Sequence, residues 1–592
     1  MPIQQLPIFC YYDVQRFTQF GSMDCANWYG VEVESGKRKQ ALYPAMGRRH
    51  VNYLNQNRLV FNTEPRDEFT TINYLYVIEG TQVFQYDSSF NQILIGSIEL
   101  TGELWFAYLP VGTSVYALLT NGVSIYIINE TPGMPTTFQK CTDPNAPTNP
   151  QYVAAFGGRF VVSQMNTPIN YLTQINLGGS PPIDASKIFT IPDGGAGFPL
   201  FFSSSGVVRS YAVLHSQLYI FTDFTTDIWA NIPTQINVAG VIREFPWKIN
   251  TSYNWDYGIA DPLSLSVDFG RMTWLGKNST GLVSFLTSDG GQPVPISTQA
   301  INVLLQKASE TDNGLSPFLR ATTDGFLYQY EDTIFYRVSA GVYDNTQLLD
   351  PTTFANSIEY NYNTKTWGRV IELNGSRCRI QKHVYFNNKH LVIVQGDPAI
   401  YEMAGNIYYN ELINPAQSNP QASDAFLKYP MRYELVTPQI SNEDYSEFID
   451  DYVEIDFVFG DQTFYKSNAP FLDTTFIIGE NPAPDGSPLY VITEDGKFIV
   501  TEDSEIPTFD DNHYYALFKP YLELLYSDDG GVSYRSADVR EFSPLGNYRW
   551  RMRWYELDVS RNRCYKLVCV SSAPIVILGG VRNTRRASGG AN

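Results

Sequence analysis

Charged residues are scarce in this chain of 592 residues. Asp, Glu, Lys and Arg together make up 17%, below the roughly 25% usual in soluble domains. That shortage excludes long solvated helices built from Ala, Glu, Lys and Leu. Basic residues are the scarcer kind, 41 against 61 acids, for a formal charge of −20. Phosphate binding draws on Lys and Arg, so a chain with this balance does not seek out nucleic acid. The six cysteines (Cys10, Cys25, Cys141, Cys378, Cys564 and Cys569) are scattered without a CxxC pair. A disulfide framework is therefore not expected, and reduced, buried thiols are. Five histidines form no HExxH, so no metal site is expected and no cofactor either. No run reaches 18 apolar residues, and no basic-then-apolar leader opens the chain. A soluble protein made in a cytoplasm is the expectation. No GxSxG elbow, Walker loop or strand-borne GxGxxG is present.

Aromatics, by contrast, are abundant. They reach 15%, with 41 Tyr and 36 Phe. This excludes general disorder and favours strands. Apolar–polar alternation recurs along the chain, broken by turn residues. Residues 72–78 and 82–86 flank Glu79-Gly80. Residues 115–119 and 123–128 flank Asn121-Gly122, and residues 154–156 and 159–162 flank Gly157-Gly158. Asn-Gly between apolar runs is a strong hairpin signal, because both turn residues need positive φ. Further hairpins are expected at 216–229, 272–285, 325–336 and 358–370. They recur roughly every 40 to 60 residues, as propeller blades do. Only residues 297–308 invite a helix, with Ser297 as its cap.

The fold class expected is all-β: a β-propeller of about six to eight blades followed by a β-sandwich-like domain. Residues 1–50 read as an N-terminal arm, 51–430 as the propeller and 431–592 as the C-terminal β-rich domain. The Pro/Asn-rich stretches 131–150 and 413–422 read as loops, the second marking the domain boundary. Residues 521–526, 549–554 and 565–570 alternate well enough for sandwich strands, with Trp550 and Trp554 inward and Arg551 and Arg553 outward. Residues 460–518 read as an acidic, loop-rich excursion, and 582–592 as a mobile basic tail. Charge is divided sharply here. Residues 441–530 hold 21 acids against three lysines, and 531–592 hold 11 basic residues against four acids.

One local motif is distinctive. Ser527-Asp528-Asp529-Gly530-Gly531-Val532-Ser533-Tyr534 resembles an Asp box, S-x-D-x-G-x-[ST]-W, with Tyr534 in the Trp slot. The Asp529 carboxylate is expected to take backbone N–H groups across a hairpin while Gly531 supplies positive φ and Tyr534 packs beneath. Ser527, Asp529, Gly531, Ser533 and Tyr534 thus read as a structural turn and not a catalytic one. A glycosidase needs two carboxylates facing one cleft. A sialidase would add an arginine triad and a Phe/Tyr-Arg-Ile-Pro motif, which this chain lacks. Glu502-Asp503 and Asp510-Asp511 lack EF-hand spacing. Lys37-Arg38-Lys39 and Arg48-Arg49 read as a solvated basic patch.

The opening residues Asp24–Glu32 (DCANWYGVE), followed by Leu42–Gly47 (LYPAMG), resemble the start of the packaged-DNA stabilisation proteins. These are the tail hub, or nozzle, proteins of short-tailed bacteriophages. Similar segments follow in order at 156–162, 218–229, 264–281, 296–302, 359–370, 527–536 and 561–580. The excursion after residue 460 departs from the shorter members. The resemblance implies a non-enzymatic virion component made in the host bacterial cytoplasm. It would form a six-fold ring with itself below the portal and its tail adaptor protein. It would surround double-stranded DNA without sequence-specific binding, help retain the packaged genome and meet a plug or needle. Tail fibres or tailspikes would be anchored on it. Acids facing the lumen would let DNA slide, because phosphate contacts create affinity. Asp450, Asp451, Glu454, Glu502, Asp503, Asp510 and Asp511 are the candidates. Two other classes share the same composition: a sialidase-like propeller and a carbohydrate-binding one.

Overall fold

The turn residues that punctuate the sequence cut it into four-stranded meanders. The computed structural model describes residues 3–12, 23–32, 40–51, 59–100, 102–173, 184–190, 200–203, 206–238, 241–250, 254–302, 305, 325–339, 357–414, 425–442, 446–459, 521–541 and 549–586. Seven antiparallel sheets follow one another around a ring. Blade 1 comprises Pro65–Thr70, Leu75–Glu79, Gln82–Tyr86 and Gln92–Ser97. Blade 2 comprises Trp105–Val111, Ser114–Thr120, Ile125–Glu130 and Thr137–Lys140. Blade 3 comprises Pro150–Phe156, Arg159–Gln164, Ile169–Leu172 and Leu200–Phe202. Blade 4 runs from Ser210–Leu214 through Gln217–Phe221 and Thr226–Ala230 to Lys248–Ile249, with the hairpin Thr234–Val238/Val241–Phe245 before its last strand. In blade 5 two short segments, Tyr257–Ile259 and Ser266–Asp268, pair with the two ends of Arg271–Asn278; Val283–Ser288 and Val294–Pro295 complete it. Blade 6 comprises Phe326–Tyr330, Thr333–Ser339, Ser357–Asn361 and Thr366–Val370.

Blade 7 is assembled from both ends of this ring. Ile380–Phe386, Lys389–Val394 and Ile400–Ala404 supply three strands, and Gly47–His50 supplies the fourth. The first strands of blades 2 to 6 run side by side and Ile380–Phe386 lies against Pro65–Thr70, closing the circle, so they line the axis. Lys382 and Asp67 form an ion pair of 3.4 Å across that closure.

Inter-blade packing explains why the middle strands read as apolar on both faces. All of Leu75–Glu79 and Ile125–Glu130 is buried, because each blade is covered on two sides. Seven apolar clusters join successive blades. Ile78 and Val83 meet Leu119 and Ile128, for example, and Phe221 meets Trp274. The last cluster joins Leu75 and Val77 of blade 1 to Leu391 and Ile393 of blade 7.

The strands outside the blades, together with the closing strand of blade 7 (β5), are labelled in chain order. They are β1 Ile3–Gln5, β2 Asp24–Ala26, β3 Trp28–Glu32, β4 Gln40–Pro44, β5 Gly47–His50, β6 Tyr409–Ile413, β7 Phe426–Val436, β8 Ile440–Ser441, β9 Phe448–Phe459, β10 Tyr521–Ser527, β11 Arg535–Glu541, β12 Arg549–Ser560, β13 Asn562–Ser571 and β14 Ile575–Arg586. One layer has the order β3-β4-β14-β9-β12, with β1 also on β14. A facing layer contains β2, β7, β13, β10 and β11. Val453, Ile455, Phe457, Trp554 and Ile577 from the first layer share one core with Tyr433, Leu435, Leu524, Leu567 and Cys569 from the second. The second layer does not stop at the unit's edge. β2 pairs with both Thr366–Val370 of blade 6 and β7, while β7 pairs with β6, which meets β5 of blade 7. One continuous sheet therefore connects blades 6 and 7 to the second unit.

Several expectations change. Residues 1–50 are not a separate arm: β1 to β4 belong to the second unit and β5 completes the propeller. The boundary does not fall at 430, because β7 runs through it and serves both units. Residues 137–140 form the outer strand of blade 2 within a stretch whose Pro and Asn content read as loop. Arg582–Arg586 are part of β14 rather than a tail, and Arg582 is 1% exposed; residues 587–592 lie outside the described residues. The helical turn at 299–302 is capped by Thr298, whose Oγ1 accepts from Ile301 N at 3.3 Å. Ser297 instead accepts from Phe285 N at 3.2 Å. The excursion 460–518 lies outside the described residues.

Candidate functional site: the charged joint

Asn27 sits between β2 and β3 at φ 58, a left-handed conformation that asparagine tolerates better than most residues. Its side chain is wholly buried and fully used. Nδ2 donates to Ile371 O and to Arg432 O, each at 2.7 Å, and Oδ1 accepts from Ile371 N at 3.1 Å. One amide thus ties the end of blade 6 to β7. Next to it, Trp28 Nε1 donates to Ile575 O at 3.0 Å and its ring stacks on Tyr433 at 5.1 Å. Gly47 is pressed onto the backbone at Tyr409, where a Cβ would lie 2.3 Å from the carbonyl oxygen. Only glycine fits there.

Ion pairs surround this staple. Arg369 of blade 6 donates from Nε to Asp24 Oδ1 at 2.7 Å, forms a second bond to Asp24 Oδ2 and approaches Glu434 Oε2 at 3.5 Å. Glu434 also pairs with Arg432 at 2.7 Å and Lys566 at 3.1 Å. Burial pushes the Glu434 carboxyl up, but Lys566, Arg432 and Arg369 together hold it below the usual glutamate range. Arg48 on β5 forms a bidentate pair with Glu372, at 2.8 and 2.9 Å. Burial again opposes the charge, and Arg48 outweighs it to keep Glu372 low. Arg48 is 2% exposed, so it does not belong to a solvated patch: its fork is closed on Glu372. Arg49 pairs with Glu402, and Lys37-Arg38-Lys39 lie outside the described residues.

A second network fills the far end of the same unit. The turn from β10 to β11 forms as its sequence suggests. Asp529 Oδ1 accepts from Val532 N at 3.0 Å and Ser533 N at 2.9 Å, while Ser527 Oγ accepts from Gly531 N at 2.8 Å. Ser527 and Ser533 hydroxyls also donate to Asp529, which together with the backbone bonds hold its carboxyl well below the usual range. Gly531 has φ 92, and Tyr534 OH lies 3.9 Å from Cys564 Sγ. The neighbouring Asp528 reaches into the layer, accepting from Arg563 Nε at 2.8 Å. Arg563 continues to Asp450 at 3.0 Å, and Tyr565 OH also donates to Asp450. Arg582 Nη1 stands 3.6 Å from Asp450 Oδ1, an ion-pair distance too long for a hydrogen bond. The Phe448 ring lies 4.8 Å from Arg582 and 5.8 Å from Arg563.

The candidate lumen acids therefore differ in position. Asp450 is 0% exposed and cannot line a channel. A β-bulge next to Asp451 changes the parity of β9, which turns Asp450 inward with Phe448. Asp451 is half-buried and pairs with Arg585 at 2.9 Å. Glu454 is buried beneath Arg553 and Arg551. Glu502, Asp503, Asp510 and Asp511 lie outside the described residues. Among those residues no group of three or more His, Cys, Asp and Glu is placed to hold a metal. Within them, no helix is long and apolar enough to cross a membrane.

The strand order defines a seven-bladed β-propeller joined by a shared sheet to a second, two-layered β unit. No family model matches the chain, and no curated protein matches it either. Among solved structures it is similar to the WD40 domain of Neurospora crassa Pan2, at TM-score 0.32 and 8% identity over 63% of this chain and 98% of that one. It is also similar to virginiamycin B lyase from Staphylococcus aureus, at TM-score 0.31 and 9% identity over 61% of this chain and 99% of that one. The computationally designed Ika8 protein gives TM-score 0.31 and 9% identity over 58% and 97%. The blade count rests on the sheets themselves, not on these likenesses.

Proposed function

We propose that the protein is a structural, non-catalytic component of a short-tailed bacteriophage tail. In this reading it is a hub or nozzle subunit that forms a ring with its own copies below portal and adaptor. The ring surrounds the DNA exit channel, helps retain packaged DNA and carries fibres or spikes. What supports it most is the use made of the residues that carry the family resemblance. Asn27 bonds to the backbone at Arg369, Ile371 and Arg432, Trp28 to that of Ile575 and Gly47 to that of Ile407, so these residues hold two units together. A subunit that must hold its shape under the load of a packed genome needs such a joint.

The test is the mass of the purified protein in solution, alone and after mixing with DNA-filled heads that lack this component. A closed ring, or a monomer that binds such heads and stops their DNA leaking, is the expected result. A stable monomer that ignores the heads overturns the proposal.

A further inference from the structure

Blades 2 and 3 part at one end of the propeller to leave a cleft of about 490 Å³, within the roughly 300–1,000 Å³ range of small-molecule sites. Its walls come from the connection between blades 1 and 2, the turn at Asn121-Gly122, and the start of blade 3. The turn is fixed from both sides. Gly122 N donates to Pro150 O at 3.0 Å and Met165 N to Asn149 O at 2.9 Å. Asn121 Oδ1 accepts from Ser124 N at 2.8 Å. The cleft is thus preformed, and a ligand need not order it. Gly122, at φ 83, also keeps the wall thin: a Cβ there would lie 3.3 Å from Met165 Cε.

The lining mixes one aromatic plane with neutral polar groups. Trp105 is partly exposed, while its Nε1 is buried and has no hydrogen-bond partner among the described residues, so what the indole offers a guest is its apolar surface. Gln151 lines the same cleft, and among the described residues its side-chain amide has no hydrogen-bond partner, while its backbone carbonyl accepts from Thr120. Glu103 presents an exposed carboxylate at the rim, and Val123 is 50% exposed beside it. Among the described residues no Lys or Arg lines the cleft itself, and Arg66 reaches only its rim, Nη2 donating to Gly102 O at 2.9 Å; one cation already engaged is little for phosphate or nucleic acid. The single aromatic wall is not a cage of the kind that holds a cation.

We infer that this cleft binds a neutral sugar. The pyranose C–H face lies on Trp105, and ring hydroxyls bond to the Gln151 amide. Indole offers a broad apolar face, which suits a ligand that is apolar on one side and polar at its edge. This inference does not depend on the role in a tail.

The experiment titrates the full chain with D-glucose, D-galactose, D-mannose, N-acetyl-D-glucosamine and maltose. Binding is read by tryptophan fluorescence and saturation-transfer NMR. At least one sugar is expected to bind with a millimolar Kd. Trp105→Ala and Gln151→Ala should each weaken it by about tenfold or more. Gln151 is partly exposed, so its variant keeps the fold and reads the site even if Trp105→Ala does not. Failure of all five sugars to bind overturns the inference. So does binding that survives in both variants, and so does saturable binding of an arginine-rich peptide or single-stranded DNA at Trp105 in place of sugar.

Discussion

Asn27 combines a positive φ with three hydrogen bonds to two different parts of the fold. Two kinds of cost are therefore separable at one position. Asn27→Ala leaves Ile371 O, Arg432 O and Ile371 N unpaired in a dry site and puts alanine in the left-handed region. The expected loss is about 2–4 kcal/mol. Asn27→Gly removes the same bonds but relieves the backbone, so it should lose about 1 kcal/mol less. Urea denaturation of the two variants and the wild type measures both. If Asn27→Ala unfolds at the wild-type midpoint, the amide is not what holds blade 6 to β7. Asp450 makes the complementary point. It is as buried as Asn27 but charged, and two arginines and a tyrosine are needed to keep it there. Burial still pushes its carboxyl above the ordinary aspartate value.

At the scale of elements, the closure strand β5 is a short segment whose attachment depends on more than its ladder to Ile400–Ala404 and its single bridge to β6. Arg48 on β5 and Glu372 after blade 6 form a buried bidentate pair. Removing one member strands the other charge. Arg48→Met should therefore cost about 3–5 kcal/mol, whereas Arg48→Met with Glu372→Met should recover a substantial part of that loss. Equal losses in the single and double variants, measured by denaturant unfolding, would show that the pair is not coupled.

The same elements show what the sequence reveals and what it conceals. Hairpins were legible because Asn-Gly and Gly-Gly mark turns, and Gly122, Gly157 and Gly158 do take positive φ; Asn121 does not, and its side chain instead accepts from Val123 N and Ser124 N in a wider turn. The Asp-box-like turn was legible for the same local reason. The blade count was not. Blade 5 splits its first strand, and blade 7 takes its fourth from a segment that precedes blade 1 in the chain. The joint was concealed more deeply, because Asp24 and Arg369 are 345 positions apart. The burial of Asp450 was concealed as well, since one bulge reverses which face a residue occupies.

For the molecule as a whole, the joint makes stability depend on acid in a definite direction. Glu372 and Glu434 both have carboxyls held below the ordinary glutamate value of 4.5. The unfolded chain therefore binds protons at these sites before the folded one does. Their contribution is fully present above that ordinary value and is lost as pH falls through the lower folded values. Asp450 has the opposite sign. Its folded value is raised above 3.8, so its contribution is present below the ordinary aspartate value and is lost as pH rises through the folded one. Lowering the pH from about 6 to 3 should thus weaken the joint through Glu372 and Glu434 while Asp450 partly offsets the loss. Thermal melts across that range test both terms. The Arg48→Met, Glu372→Met variant should show a shallower fall in Tm with acid than the wild type. Asp450→Asn, which removes the opposing contribution, should show a steeper one whatever its starting Tm. A shift of both variants by the same amount at every pH would mean that the acid response arises elsewhere in the chain. The two slopes must differ in sign relative to wild type, because the two carboxyl sets are displaced in opposite directions: at the joint the arginines and lysine outweigh burial, and at Asp450 burial outweighs the arginines.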